Sequence, residues 1–331
     1  MLFRSPSYAG CTAKSKRFVG YDEAEGAPSL FDALEGDTPE AQRHREFMLH
    51  QAINHSVLIE KVGGKEELCA SSPDEQAFVG AAEYFGYEFT ERRSDVGELM
   101  IKDKRTGEDH MVQILEVFPY ESSRKRMSII VRLPPALVAA TGGGCDVRLY
   151  CKGADSPLLD MLLPGSPGTD RESMEALSSM LYDWADIALR TLIWAKHELP
   201  EFAAWHARYK EATSDPVEVQ KLKMGEPNAI LKLQAEVEGD FTLQGASAIE
   251  DKLQDGVPEV LADLRAAGVK VWMLTGDKVG TAKNIASACN MLPLSADVLE
   301  ITCETFPVLA DLKARELIEL QTTLDRKSTR L

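Results

Sequence analysis

The sequence lacks any apolar run long enough to cross a bilayer, and it is poor in basic charge. A membrane-spanning helix needs about 20 apolar residues, and no stretch of the chain approaches that length. The opening residues, MLFRSPSYAG, also lack the apolar centre of a secretory signal peptide. The formal net charge is −16, which argues against a nucleic-acid partner because phosphate binding needs clustered Lys and Arg. We therefore expect a soluble, cytosolic chain.

Cysteine is present, but not in the spacing of a metal site or a disulfide framework. The six cysteines are Cys11, Cys69, Cys145, Cys151, Cys289 and Cys303. None of them forms a CxxC pair, and no His lies at zinc-ligand spacing. We expect reduced thiols, as is usual in the cytosol, and no metal ligands in this chain.

The first two thirds of the chain predict helices around an antiparallel sheet. Residues 1–45 include the acidic stretch YDEAEGAPSLFDALEGDTPEAQ, which predicts a mobile loop. Ser72, Pro73 and Glu75 have the spacing of an N-cap, a first helical position and a capping box, and Gly86 can close the helix. Strand-like runs without intervening helices follow, which predicts an antiparallel sheet. These runs are YEFT, ELMIK, HMVQILEVFPY, RMSIIVRL and DVRLYCKG.

The last third changes to a strand–helix–strand–helix order, which predicts a parallel sheet. Its predicted strands are FTLQGASAI and VKVWML. The second strand is followed at once by Thr275, Gly276 and Asp277, and then by a helical pattern. Ligands of such sheets bind beyond the carboxyl ends of the strands, where the next helix points its free N–H groups. A phosphoryl site is one interpretation, and a simple helix cap at Asp277 is the other.

Several motifs resemble, in order and spacing, those of one enzyme family. The segment from AIEDKLQDGVPE to TGDKVGTAKNIASACNML resembles the phosphorylation domain of P-type ATPases, in the version of the phospholipid-transporting class. SSPDEQAFV, RKRMSIIVR, YCKGAD and LRTLIWAKHEL occur in the order of that class's nucleotide-domain motifs. The resemblance is scattered over residues 46–293.

The resemblance implies an α/β chain of two domains. Residues 46–238 would form an α+β nucleotide-binding domain with an antiparallel sheet. Residues 239–331 would form part of a haloacid-dehalogenase-like, Rossmann-type parallel α/β domain with a tail, LQTTLDRKSTRL, that resembles nothing we can place. Residues 1–45 would be a hinge segment and loop, because MLFRSPSYAG resembles the segment directly after the family's phosphorylation loop, DKTGTLT. Neither that loop nor the family motif GDGxNDV occurs in the sequence, so we expect the phosphorylated Asp and the main Mg²⁺ ligands to lie outside this chain.

The resemblance also implies roles for individual residues. Lys152 of the KGAD motif would lie in the ATP pocket; an exposed lysine at a strand end is the alternative. Arg190 would meet phosphate with its planar guanidinium, or else be a solvated arginine at a helix end. Glu75 would lie near the adenine, complete the capping box, or do both. Residues 275–277 would contact the transferred phosphate and the nucleotide.

The aromatic residue that stacks on adenine has two candidates. Adenine needs a flat apolar partner, and the family places an aromatic four residues before the first basic residue of its RKRM-like motif. Counting back from Arg124 gives Tyr120, where the family usually has Phe, and Phe118 lies two residues earlier. Tyr120 is the first choice and Phe118 the second, and either ring could instead belong to the sheet core. Arg124, Lys125 and Arg126 are expected to orient loops and form salt bridges.

By resemblance, the parent protein binds Mg-ATP, forms an aspartyl phosphate and couples its hydrolysis to moving a phospholipid between leaflets. An accessory membrane subunit is a candidate partner. This chain would be a cytosolic portion that binds ATP without turning it over. The alternative is a non-catalytic nucleotide-binding or regulatory module, and a soluble phosphatase related by fold is a weaker third interpretation. Specificity for a lipid would lie in membrane helices that the sequence does not contain.

Overall fold

The computed structural model describes residues 30–62, 65–70, 72–186, 189–250, 256–274 and 279–292. Residues 30–250 belong to one compact unit, and residues 256–274 and 285–292 belong to a second. The opening MLFRSPSYAG, the loop Thr275, Gly276 and Asp277, and the final LQTTLDRKSTRL all lie outside the described residues.

An antiparallel sheet with helices on both sides makes up the first unit. The strands are β1 Leu58–Val62, β2 Lys65–Cys69, β3 Tyr87–Arg93, β4 Glu98–Asp103, β5 Glu108–Glu121, β6 Arg126–Arg132, β7 Val147–Gly153, β8 Leu189–Glu198 and β9 Thr242–Glu250. The helices are α1 Leu30–Leu34, α2 Pro39–Ile53, α3 Pro73–Tyr84, α4 Pro135–Ala140, α5 Asp155–Leu159, α6 Arg171–Asp186, α7 Phe202–Ser214, α8 Pro216–Met224 and α9 Ala229–Val237. β3 to β9 pair in sequence order, and β1 and β2 form a separate hairpin. Each pairing between neighbours is antiparallel.

Alternation along the central strands builds two cores, one on each face of the sheet. Ile129 and Val131 of β6 join the core that includes α2 and α3. Ile130, between them, joins the core that includes α6, α7 and α9. Successive side chains of a strand point to opposite faces, so both faces of β6 are covered. This explains why three consecutive residues of β6, Ile129 to Val131, are apolar instead of alternating with polar ones.

The mobile loop predicted for the acidic stretch is wrong from residue 30 onward, where α1 and α2 form. Thr38 is the N-cap of α2: its hydroxyl accepts a hydrogen bond from the Ala41 amide at 3.1 Å, and Pro39 takes the first helical position. Leu34, only 3% exposed, anchors α1 in the core. The prediction rested on the acidic composition and overlooked the helix-start signal at Thr38 and Pro39 and the apolar residue Leu34.

The strand predicted from FTLQGASAI is present as β9, but it extends the antiparallel sheet instead of opening a parallel one. β9 pairs antiparallel with β8, and Trp194 Nε1 donates a hydrogen bond to Ser247 Oγ at 2.8 Å. Ala246 lies in the core of the same unit. These contacts with β8 and with the core decide the partner of β9, and they cannot be predicted from the local sequence pattern.

The described residues that follow β9, 256–274 and 279–292, contain helix but no strand. α10 is Val257–Ala266 and α11 is Val279–Ala288, which confirms both predicted helices. Residues 269–274, predicted as the strand VKVWML, have neither helix nor strand. A strand needs a neighbour for its backbone groups, and none is described here. Within the described ranges, no helix is both long and apolar enough to span a bilayer.

Gly153 generates a testable prediction, because it ends β7 where the adjacent turn leaves no room for a side chain. A Cβ there would lie 2.7 Å from the Lys125 carbonyl oxygen and 2.7 Å from Arg126 Cβ. Gly153→Ala should lower the free energy of unfolding by about 1–3 kcal/mol in urea, as overpacking does. Gly80→Ala, inside α3 with no heavy atom beyond the helix's own backbone within 4 Å of the new Cβ, is the control and should raise it by about 0.5–1 kcal/mol. Equal effects would contradict the close approach at Gly153.

Candidate functional site

A buried ion pair joins the KGAD strand to the first turn of α3. Lys152 Nζ lies 2.7 Å from Glu75 Oε1 and donates to the carbonyl oxygen of Asn54 at 2.7 Å. The other oxygen of Glu75 accepts from the amide and the hydroxyl of Ser56, at 2.9 and 2.5 Å. The Lys152 and Glu75 side chains are 8% and 10% exposed. One carboxylate thus connects α3, β7 and the segment after α2.

Two aromatic rings hold the Lys152 side chain in position. Lys152 lies opposite Trp194 in the β7–β8 pairing. Its Nζ is 5.8 Å from the ring centres of Phe78 and Trp194, within the range of a cation–π interaction. The ammonium is therefore stabilised by a carboxylate, a carbonyl and two ring faces. The alternative of an exposed strand-end lysine does not fit this burial.

Burial and charge act in opposite directions on the two ionisable groups. Burial alone would raise the pKa of the Glu75 carboxyl, but the Lys152 charge and the hydrogen bonds from Lys152 and Ser56 lower it below its ordinary value. Burial lowers the pKa of Lys152, and Glu75 opposes that effect. The carboxylate is thus held in its ionised form by the lysine.

Arg190 also contacts the first turn of α3, through the carboxylate of Asp74, the residue before Glu75. Its Nη1 lies 3.6 Å from Asp74 Oδ1, and its side chain is 42% exposed. Alternation along β8 puts Arg190 on the same face as Trp194, the partner of Lys152. The structure therefore brings Glu75, Lys152 and Arg190 together around two consecutive residues of α3.

The capping box predicted at Ser72 is wrong. Ser72 precedes α3 as expected, but its side chain makes no capping hydrogen bond. Glu75 turns instead to Lys152 and Ser56. A charge-assisted hydrogen bond is stronger than one to a neutral backbone amide, so the lysine takes the carboxylate. Pro73 at the first position and Gly86 after the helix, with φ 115°, are as predicted.

The two candidate stacking aromatics have opposite environments. Phe118 is 1% exposed, and its ring centre lies 5.8 Å from that of Tyr209. Both belong to the same core. Tyr120 is 60% exposed and lies at the end of β5. Of the two rings, only that of Tyr120 presents a free face to solvent.

The turn after β5 is held by a carboxylate that the sequence did not single out. Glu238 accepts from Arg124 Nη1 at 2.9 Å, from Arg126 Nη2 at 2.7 Å and from Ser128 Oγ at 2.5 Å. The expectation that these arginines form salt bridges is confirmed. Glu238, like Asn54 and Ser56, belongs to no motif, and only tertiary contact reveals it.

The described residues also form a cavity away from Lys152, Glu75 and Arg190. A cavity of about 600 Å³ lies at the other end of the sheet, where β6 ends and β7 begins. It is lined by Met111, Gln113, Arg132, Leu133, Pro134, Pro135, Val138, Ala139, Gly143, Gly144 and Asp146. Across the described part of the chain, no three His, Cys, Asp or Glu side chains are grouped as metal ligands.

Comparison with known proteins identifies both a domain family and close relatives. The model of the haloacid dehalogenase-like hydrolases matches residues 172–325. The mouse protein Phospholipid-transporting ATPase IC is 37% identical over 259 residues, 78% of this chain and 18% of the relative. Phospholipid-transporting ATPase C887.12 of Schizosaccharomyces pombe is 32% identical over 314 residues, 92% of this chain and 23% of the relative. Phospholipid-transporting ATPase DRS2 of Saccharomyces cerevisiae is 34% identical over 291 residues, 87% of this chain and 20% of the relative.

The chain thus spans about a fifth of the length of the curated relatives it matches. The mixed α/β class with an antiparallel sheet and a haloacid-dehalogenase-like region is confirmed. The roles of the predicted site residues and the domain bounds 1–45, 46–238 and 239–331 stay predictions.

A double-mutant cycle tests the buried ion pair. Lys152→Met and Glu75→Gln should each lower the free energy of unfolding by about 3–5 kcal/mol, because each leaves a buried partner uncompensated. The double variant should lose less than the sum, with a coupling energy of about 1–3 kcal/mol. Urea denaturation of the four proteins measures both quantities. Additive losses would contradict a direct interaction.

The pH dependence of the Glu75 contribution follows from the lowered pKa. The folded pKa lies below the ordinary value of about 4.3. The contribution is therefore complete above that value and is lost as the pH falls through the folded pKa. The difference in unfolding free energy between the wild type and Glu75→Gln should be constant from neutral pH down to about pH 5 and shrink below pH 4. A difference that grows on acidification would contradict this assignment.

Proposed function

This chain belongs to the P-type ATPase family, with phospholipid-transporting ATPases as its relatives, and we propose that its residues 46–238 form a nucleotide-binding domain for ATP. The observation that carries the proposal is that Lys152 and Arg190, from separate motifs, converge on Asp74 and Glu75 of α3. Two cations at one end of a sheet supply charge for a triphosphate.

Arg190 is the more exposed of the two cations, with its side chain 42% exposed against 8% for Lys152. Its contact with Asp74 is 3.6 Å long and partly exposed, and such surface pairs contribute little on their own. The planar guanidinium of Arg190 can donate two hydrogen bonds to a phosphate group. Lys152 is buried against Glu75 and contributes mainly a fixed positive charge at the same end of the sheet.

The adenine end of the ligand is assigned to the turn between β5 and β6. Tyr120 offers an exposed ring at that turn, and stacking on adenine is worth about 0.5–1.5 kcal/mol beyond burial. Phe118 is unsuited to this role while its ring is packed in the core. Glu75 keeps Lys152 in place.

Residues 239–331 are proposed to form part of the phosphorylation domain, with Thr275, Gly276 and Asp277 contacting the transferred phosphate. In the whole protein, we propose ATP hydrolysis through an aspartyl phosphate, coupled to phospholipid transport between leaflets. Mg²⁺ would neutralise charge on the phosphates when bound, and the described residues of this chain provide no cluster of ligands for it. This chain would then be a cytosolic portion of a membrane protein, and an accessory membrane subunit would be a partner of the whole.

Titration of the folded chain with ATP, followed by calorimetry, tests this proposal. Arg190→Ala should weaken ATP binding by about 10- to 100-fold, the value of a hydrogen bond to a charged group. Arg208→Ala is the matched control, because Arg208 is also an exposed arginine paired with a carboxylate, Glu236, at 2.8 Å. It should leave the affinity unchanged. No binding by the folded wild type, or equal losses in both variants, would contradict the proposal.

A further inference from the structure

We propose that Glu238 is a positioning residue for the nucleotide site, acting through the β5–β6 turn that carries Tyr120. This inference rests on the proposed function, because the site that Glu238 organises is the ATP site. Glu238 follows α9 and is more than a hundred residues away from the turn in sequence. It is buried, at 3% exposure, so it acts through other residues.

The Glu238 carboxylate uses both of its oxygens to hold the turn and the start of β6. Oε2 accepts from Arg124 Nη1 at 2.9 Å and from Arg126 Nε and Nη2 at 3.1 and 2.7 Å. Oε1 accepts from Ser128 Oγ at 2.5 Å. Two guanidinium groups thus share one carboxylate, whose negative charge offsets their mutual repulsion. Without that charge, the two arginines would separate and the turn would open.

Arg124 carries this constraint to the residue before Tyr120. Its Nη1 binds Glu238, while its Nη2 donates to the carbonyl oxygen of Pro119 at 2.9 Å. The turn itself closes with Lys125 N donating to Glu121 O at 2.7 Å. Lys125 adopts a left-handed conformation, with φ 52°, which is unfavourable for a residue with a side chain. The turn thus has contacts outside itself, and the carboxylate that Arg124 reaches, Glu238, is buried.

The same turn supports the end of the KGAD strand. The carbonyl oxygen of Lys125 accepts from the Ala154 amide at 3.0 Å, and Arg126 pairs with Gly153 across β6 and β7. Gly153 has no space for a Cβ against this turn. Movement of the turn would therefore shift both the exposed ring of Tyr120 and the backbone next to Lys152. The distance between these two contact points would then no longer match the length of a nucleotide that binds both.

ATP affinity of Glu238→Gln tests the proposal. The amide has nearly the same shape as the carboxylate but lacks the charge that holds the two arginines together. ATP binding should weaken by about three- to tenfold, the value of the stacking contact. Glu116→Gln is the matched control, since Glu116 is a largely buried carboxylate of β5 that pairs with His206 and Lys210. It should leave the affinity of ATP unchanged.

Combination with Tyr120→Ala separates a positioning role from a general loss of structure. If Glu238 acts through Tyr120, the double variant should bind ATP about as weakly as Tyr120→Ala alone. Losses that multiply would overturn the inference, as would an unchanged affinity in Glu238→Gln. A wild type that fails to bind ATP would instead contradict the proposed function itself. If Glu238→Gln does not fold, Arg124→Gln cuts the link to Pro119 and should give the same loss; normal affinity in that variant would overturn the inference.

Discussion

The ion pair between Glu75 and Lys152 is the interaction on which the arrangement of the site depends. It joins α3 to β7 and, through Asn54 and Ser56, to the end of α2. Because both charges are buried, removal of either partner leaves the other uncompensated, which is among the costliest changes in a protein interior. The same contact fixes the position of the first turn of α3, in which Asp74 pairs with Arg190. Three separate segments of the chain are thereby held at one end of the sheet.

A second buried carboxylate, that of Glu238, orients cationic side chains on the other side of β7. Glu75 holds the lysine of the KGAD motif, and Glu238 holds the arginines of the RKRM motif. Each carboxylate comes from an element distant in sequence from the cations that it binds. In both cases the motif supplies the positive charge, and the fold supplies the negative charge that orients it. In the proposed nucleotide site, these groups would already be oriented before the ligand arrives, which lowers the entropic cost of binding.

Sequence patterns predicted those features of the fold that depend on local chemistry. The strands β3 to β7, the start of α3 at Pro73 and the helices α10 and α11 all follow from apolar periodicity and helix-end signals. Features decided by tertiary contact were missed. The Glu75 capping box was wrong because a buried lysine competes for the carboxylate, and β9 joined the antiparallel sheet because β8 was its partner. The motif residues themselves were recognised only by their resemblance to a family, and nothing in the local sequence marks Glu238.

The central claim is that Lys152, Arg190 and the β5–β6 turn form one ATP site at a single end of the sheet. Amide chemical shifts of the folded chain, followed by NMR as ATP is added, test it most directly. The account predicts saturable shifts at Gly153, Arg190 and Lys125, and none at Gly143 and Gly144, which lie in the loop before the opposite end of β7. Shifts confined to Gly143 and Gly144, or no saturable shifts at all, would contradict the account.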